Sequence, residues 1–130
     1  PIHWAARNGH LDVVIWLVKD LGVDPDSRTL DGDTALMLAC WQGHLELCSW
    51  LLSQSAQPGV TNRWGCNAAF KAARMDGSHS TLAMLEFVLD LPAVDAGAIN
   101  AAGHSLLHKA AIYGRDDVCR LLVTRFAATC

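Results

Sequence analysis

Apolar residues recur at helical spacing in separate stretches of the chain. Leu11, Val14, Leu17, Val18 and Leu21 form one set, Leu45, Cys48, Leu51 and Leu52 a second, and Val118, Leu121 and Leu122 a third. Spacings of three and four place each set on one side of a helix, so each predicts a helix with one face turned to a core. Trp16, Trp50, Phe87 and Leu121 hold equivalent places and predict a further core layer. A shorter, alanine-rich stretch precedes each long one and contains Ala5-Ala6, Ala72-Ala73 or Ala110-Ala111. Small side chains there predict helices that approach closely, where a larger residue would overpack by typically ~1–3 kcal/mol.

The boundaries of these helices are marked. Thr34, Asn67 and Ser105 occupy one equivalent position and predict N-caps, since each can offer a side-chain oxygen to an orphan helix N–H. The second short helix then runs from about Ala35 to Gln42. Gly9, Gly43 and Gly114 end the short helices, where a left-handed residue without a Cβ permits a tight reversal. Gly77 serves the third after one inserted residue. Asp12, Glu46 and Asp117 follow three residues after a glycine, where a carboxylate complements the helix dipole. Turn-forming stretches separate the units: Gly22–Asp26, Gln57-Pro58-Gly59 and Asn100–Gly103, with Asp31-Gly32 and Trp64-Gly65 at hairpin tips.

The pattern repeats. Ala5, Ala39, Ala72 and Ala110 are separated by 34, 33 and 38 positions, so the third unit is the irregular one, with extra residues near Asp76–Thr81 and Pro92–Ile99. A period of 33 or 34 fits ankyrin and tetratricopeptide repeats alike, and the hairpin turns argue against the second. Residues 32–44, Gly-Asp-Thr-Ala-Leu-Met-Leu-Ala-Cys-Trp-Gln-Gly-His, and Asn100–Ala111 followed by Gly114 resemble the ankyrin hallmark D-x-x-G-x-T-P-L-H-x-A-A-x-x-G-H. The resemblance covers essentially the whole chain. It departs at Ala35, Ala68 and Leu106, where the family prefers Pro, and at Met37 and Phe70, where it prefers His. It implies a mostly α fold, an ankyrin-repeat solenoid of paired antiparallel helices joined by β-hairpin-type loops. The expected organisation is a single domain, residues 1–130, with repeats at about 1–28, 29–60, 61–98 and 99–130. Pro1 starts inside a short helix, and the last helix, Val118–Phe126, stays apolar, so a piece of a longer array is expected.

Composition narrows the function. The net charge is −3 with no run of Lys or Arg, which disfavours nucleic acid as a partner. No apolar stretch approaches the roughly 18 residues of a membrane span. Five cysteines without framework spacing argue against a disulfide scaffold and for an intracellular, reducing location, by expectation the cytoplasm. Cys40, Cys48 and Cys119 read as buried small hydrophobes. Cys40, His44 and Cys48 have a ligand-like spacing, but Gly43 breaks the helix between them, so no metal is expected. No phosphate loop, carboxylate pair or nucleophile stands out, so neither catalysis nor a cofactor is expected.

The resemblance also implies structural roles for His3 and His108, which would tie neighbouring hairpin loops together, while His79 and His104 read as exposed turn residues. Ankyrin partners dock on the concave side, formed by hairpin tips and the exposed edge of the short helices. That implies Leu30, Asp31, Asp33, Arg63, Trp64, Cys66, Ala101, Ala102 and His104 from the hairpins. The short helices contribute Arg7, Asn8, Trp41, Gln42, Arg74, Met75, Ile112 and Tyr113. Trp, Tyr and Arg dominate interface hot spots. Either Trp41 packs on Trp64 of the next hairpin, or Trp41, Trp64 and Tyr113 form an apolar strip flanked by Arg63 and Arg74. The expected function is therefore binding of another protein. The alternatives are a regulatory or targeting region of a larger enzyme or channel, and catalysis by the repeats themselves.

Overall fold

A computed structural model describes residues 2–74, 82–91, 94, 103–112 and 116–129, apart from the side chains of residues 73, 74, 82, 83, 110, 112, 116, 117 and 125–129. The described residues form helices α1 (Ile2–Arg7), α2 (Leu11–Lys19), α3 (Ala35–Trp41), α4 (Leu45–Ser53), α5 (Ala68–Arg74), α6 (Leu82–Leu89), α7 (Leu106–Ile112) and α8 (Asp116–Thr129), with no strand among them. Each short helix packs on the long helix that follows it, and α1 packs on α3, α3 on α5 and α5 on α7. The result is a helical solenoid whose short helices form one continuous row.

The helix boundaries arise as the sequence predicts. Thr34 Oγ1 accepts from the Met37 amide at 3.3 Å, Asn67 Oδ1 from the Phe70 amide at 3.2 Å, and Ser105 Oγ from the His108 amide at 3.2 Å. Gly9 and Gly43 lie at φ +73° and +76°, between a short helix and its partner. A Cβ at Gly9 would sit 2.6 Å from the His44 ring. That ring donates from Nε2 to the Arg7 carbonyl at 3.0 Å and so satisfies an orphan acceptor at the end of α1 from the next repeat. Gly77 and Gly114 lie outside the described residues.

The core runs between the two rows of helices. Ala5, Ala6, Ala39, Cys40 and Ala72 are fully buried where short helices meet, and Val14, Leu47, Leu51, Leu85, Val88, Val118 and Leu122 line the long helices. Met37 and Phe70 stand where the family prefers His. Both are buried, so packing replaces the loop tie there. His3 retains the tie and donates to the Ser27 carbonyl at 2.8 Å.

Several positions expected in the core lie elsewhere. Trp16 is half exposed, and Trp50, Phe87 and Leu121 pack against the core only in part. A helix turns about 100° per residue, which carries Trp16 about 130° away from the midpoint between buried Val14 and Leu17. Leu21, past the end of α2, and Leu45, at the start of α4, are exposed as well. Cys119 is half-buried and Ala111 exposed, whereas Cys40 and Cys48 are buried as expected.

Candidate protein-binding surface

The loops before α3 and α5 are built alike. The Thr29 amide donates to the Asp33 carbonyl at 2.9 Å, and the Gly32 amide returns to the Thr29 carbonyl at 2.9 Å. In the next loop the Asn62 amide donates to the Cys66 carbonyl at 2.9 Å, and the Gly65 amide to the Asn62 carbonyl at 3.0 Å. Gly32 and Gly65 carry the positive φ of these tight turns, at +83° and +74°. Asn62 Oδ1 accepts from the amides of Trp64 and Cys66, both at 3.0 Å, in the Asx geometry that fixes a turn. The two tips are joined directly, because the Arg63 amide donates to the Asp31 carbonyl at 2.8 Å.

These tips carry the exposed residues. Leu30 is entirely open to solvent and Trp64 is 48% exposed, with exposed Arg63 between the tips. Asp31 is half-buried. Asp33 is expected at the surface, and the structure corrects this. It is buried, its Oδ1 accepts from Asn62 Nδ2 at 2.9 Å, and its Oδ2 meets the Lys71 ammonium at 3.4 Å. Its carboxylate is thus directed into the stack rather than toward a visitor.

Trp41 lies between two cations. It is half-buried, with the Arg7 guanidinium 4.8 Å and the Lys71 ammonium 5.5 Å from its ring centroid. The two cations come from α1 and α5, which flank α3 on opposite sides, so the indole is held in a cation–π stack. Arg7 and Asn8 are exposed, and Asn8 Nδ2 donates to the Trp4 carbonyl at 2.9 Å; Gln42 is half-buried at the end of α3. Cys66 is half-buried. Arg74 and Ile112 close α5 and α7, their side chains undescribed, and Met75, His79, Ala101, Ala102 and Tyr113 lie outside the described residues.

Sequence reasoning missed Lys71 and Asn62, the groups that bind Asp33. A signal for Lys71 existed: it aligns with Trp4 and Leu38, so a cation holds a position that the first two repeats give to apolar residues, as Lys109 does in the fourth. His104 is half-buried rather than exposed, and its ring lies 4.2 Å from that of His108, tilted by 40°. Loss of water around His104, then the nearby charges of His108 and Lys109, lowers its pKa below the ordinary value.

The apparent ligand trio separates in space. Cys40 Sγ and Cys48 Sγ lie 3.5 Å apart and share a thiol–thiol hydrogen bond, which together with burial pushes the Cys40 thiol well above its ordinary range. His44 turns away to Gly9 and the Arg7 carbonyl. Among the described residues no three His, Cys, Asp or Glu side chains gather as a metal site would require, and no helix is long and apolar enough to cross a membrane.

The sequence model of the family described as ankyrin repeats (3 copies) matches residues 1–62 and 46–129. The chain belongs to the ankyrin repeat family. Its ankyrin relatives are varied. Probable E3 ubiquitin-protein ligase XBOS33 of Oryza sativa subsp. japonica is 33% identical over 105 residues, 79% of this chain and 20% of that protein. Palmitoyltransferase AKR1 of Lachancea kluyveri is 30% identical over 129 residues, 98% of this chain and 17% of that protein. Transient receptor potential cation channel subfamily A member 1 of Homo sapiens is 30% identical over 73 residues, 56% of this chain and 6% of that protein. The chain therefore spans a fifth or less of these relatives' length. Ankyrin repeats are generally protein-interaction modules.

Proposed function

We propose that this chain binds another protein on the side formed by its hairpin tips and the outer edge of α1, α3, α5 and α7, as a single four-repeat unit of a larger intracellular protein. The observation that carries the proposal is the pair of exposed apolar side chains, Leu30 and Trp64, held on adjoining rigid tips beside Arg63. Large apolar side chains exposed together on one surface mark a contact site more often than scattered single ones do, and Trp and Arg are the residue types that dominate binding energy. Catalysis is not part of this role, and neither a metal nor a cofactor enters it.

A second reading is favoured by the small share of each relative that the chain covers: the repeats serve as the targeting or regulatory region of an enzyme or channel. The two agree on what the repeats do and differ in what they are attached to.

The test uses a partner captured with the intact protein and then purified. Trp64→Ala should weaken its binding by ~2 kcal/mol or more while leaving the fold intact, and Glu46→Gln on α4 should not. Undiminished affinity in Trp64→Ala and in Leu30→Ala would remove this surface from consideration.

A further inference from the structure

The short helices and the long helices carry opposite charge. The sequences of α1, α3, α5 and α7 contain Arg7, Lys71, Arg74 and Lys109 and no acidic residue at all. The long helices hold Asp12, Glu46, Glu86, Asp116 and Asp117 against Lys19, Arg120 and Arg125. The chain as a whole is acidic, at −3. Charge has thus been sorted by the fold: the row that borders the hairpin tips is basic in a protein whose other side is not.

The two acids nearest that row do not reverse its sign. Asp33 and Lys71 cancel as a buried pair, which leaves Arg7, Arg74 and Lys109 in the row, and Asp31 is half-buried at the tip, its carbonyl bonded by the amide of exposed Arg63. Arg7 lies over the Trp41 ring, which holds a flexible cation at a fixed place. A charge held in place gives up less entropy when a counter-charge arrives.

We infer that the partner presents an acidic polypeptide segment, its carboxylates toward Arg7 and Arg63 and its apolar side chains toward Leu30 and Trp64. This rests on the surface proposed above and adds the chemistry of the occupant. An acidic polypeptide is favoured over nucleic acid because it brings apolar side chains for exposed Leu30 and Trp64 beside its carboxylates, which a phosphate backbone does not.

The experiment measures binding of the full chain to three probes by titration calorimetry. They are a short amidated peptide alternating Glu with Leu and Trp, the same peptide with Gln for Glu, and an oligodeoxythymidylate. The Glu peptide should bind about tenfold or more tightly than the Gln peptide, a preference that shrinks as salt is raised to about 0.5 M. Arg63→Gln and Arg7→Gln should each reduce the preference without changing the circular dichroism spectrum. Arg63 is exposed, so its variant keeps the test valid if Arg7→Gln disturbs the stack. Equal affinity for both peptides, lost in both cases with Trp64→Ala, would overturn the acidic partner and leave the surface standing. Tight binding of the oligonucleotide, or no binding of the Glu peptide, would also overturn it. Glu-peptide binding unaffected by Trp64→Ala and Arg63→Gln would overturn the surface as well.

Discussion

Removing the Asp33 carboxylate should destabilise the stack more than removing its cationic partner. Asp33 and Lys71 meet at 3.4 Å with side chains only 10% exposed. At an effective dielectric of about 20, two charges at that distance attract by about 5 kcal/mol, most of which is offset by the loss of water around both ions. Breaking such a pair costs more than the pair contributes, because the remaining charge stays buried. In Asp33→Ala, Lys71 keeps, among the described residues, the Trp41 ring at 5.5 Å, and Asn62 Nδ2 loses its acceptor. A loss of about 3 kcal/mol is expected. In Lys71→Met, Asp33 still receives the Asn62 amide, and the thioether fills much of the volume, so about 1–1.5 kcal/mol is expected. The double variant should lie close to Lys71→Met, giving a coupling of about 3 kcal/mol. Urea titration of the four proteins, followed by circular dichroism and tryptophan fluorescence together, measures all four terms. Asp33→Ala within about 0.5 kcal/mol of the parent, or a cycle that closes without coupling, would refute this account of the pair.

Two further outcomes follow from the geometry. Gly9→Ala should cost about 2 kcal/mol or more, since its Cβ enters the His44 ring at 2.6 Å and the backbone is left-handed; the urea midpoint checks this, with Gly22→Ala, equally left-handed but with nothing near its Cβ, as the control that isolates the clash. His104 has a lowered pKa, so below its ordinary value of 6.5 the unfolded chain takes up the proton first and stability falls with pH until the folded ring also protonates. Urea midpoints at successive pH values should therefore drop in that window, and the drop should be smaller in His104→Gln.

The helices were legible because their signals are local. A cap such as Thr34 and a reversal such as Gly43 act within a few residues, and both can be read from the residues beside them. Burial was legible only where it follows from helical phase. The recurrence of Trp16, Trp50, Phe87 and Leu121 suggested a core layer, yet recurrence at one position records a shared environment rather than a buried one. The site was less legible because its decisive contacts span repeats. Asp33 aligns with Cys66 and His104 and reads as a tip residue. Its burial is imposed by Lys71, 38 residues on, through a contact that no periodicity encodes. Trp41 was likewise recognised as important, but the cations that hold it belong to the helices on either side.

The main-chain bond from Arg63 to Asp31 has a consequence for how such a surface can change. The distance between neighbouring tips is set by peptide groups, which every amino acid except proline supplies at position 63. Leu30, Arg63 and Trp64 can therefore be exchanged for other side chains while the comb that displays them keeps its pitch. New specificities become reachable by single substitutions that leave the scaffold's stability nearly untouched.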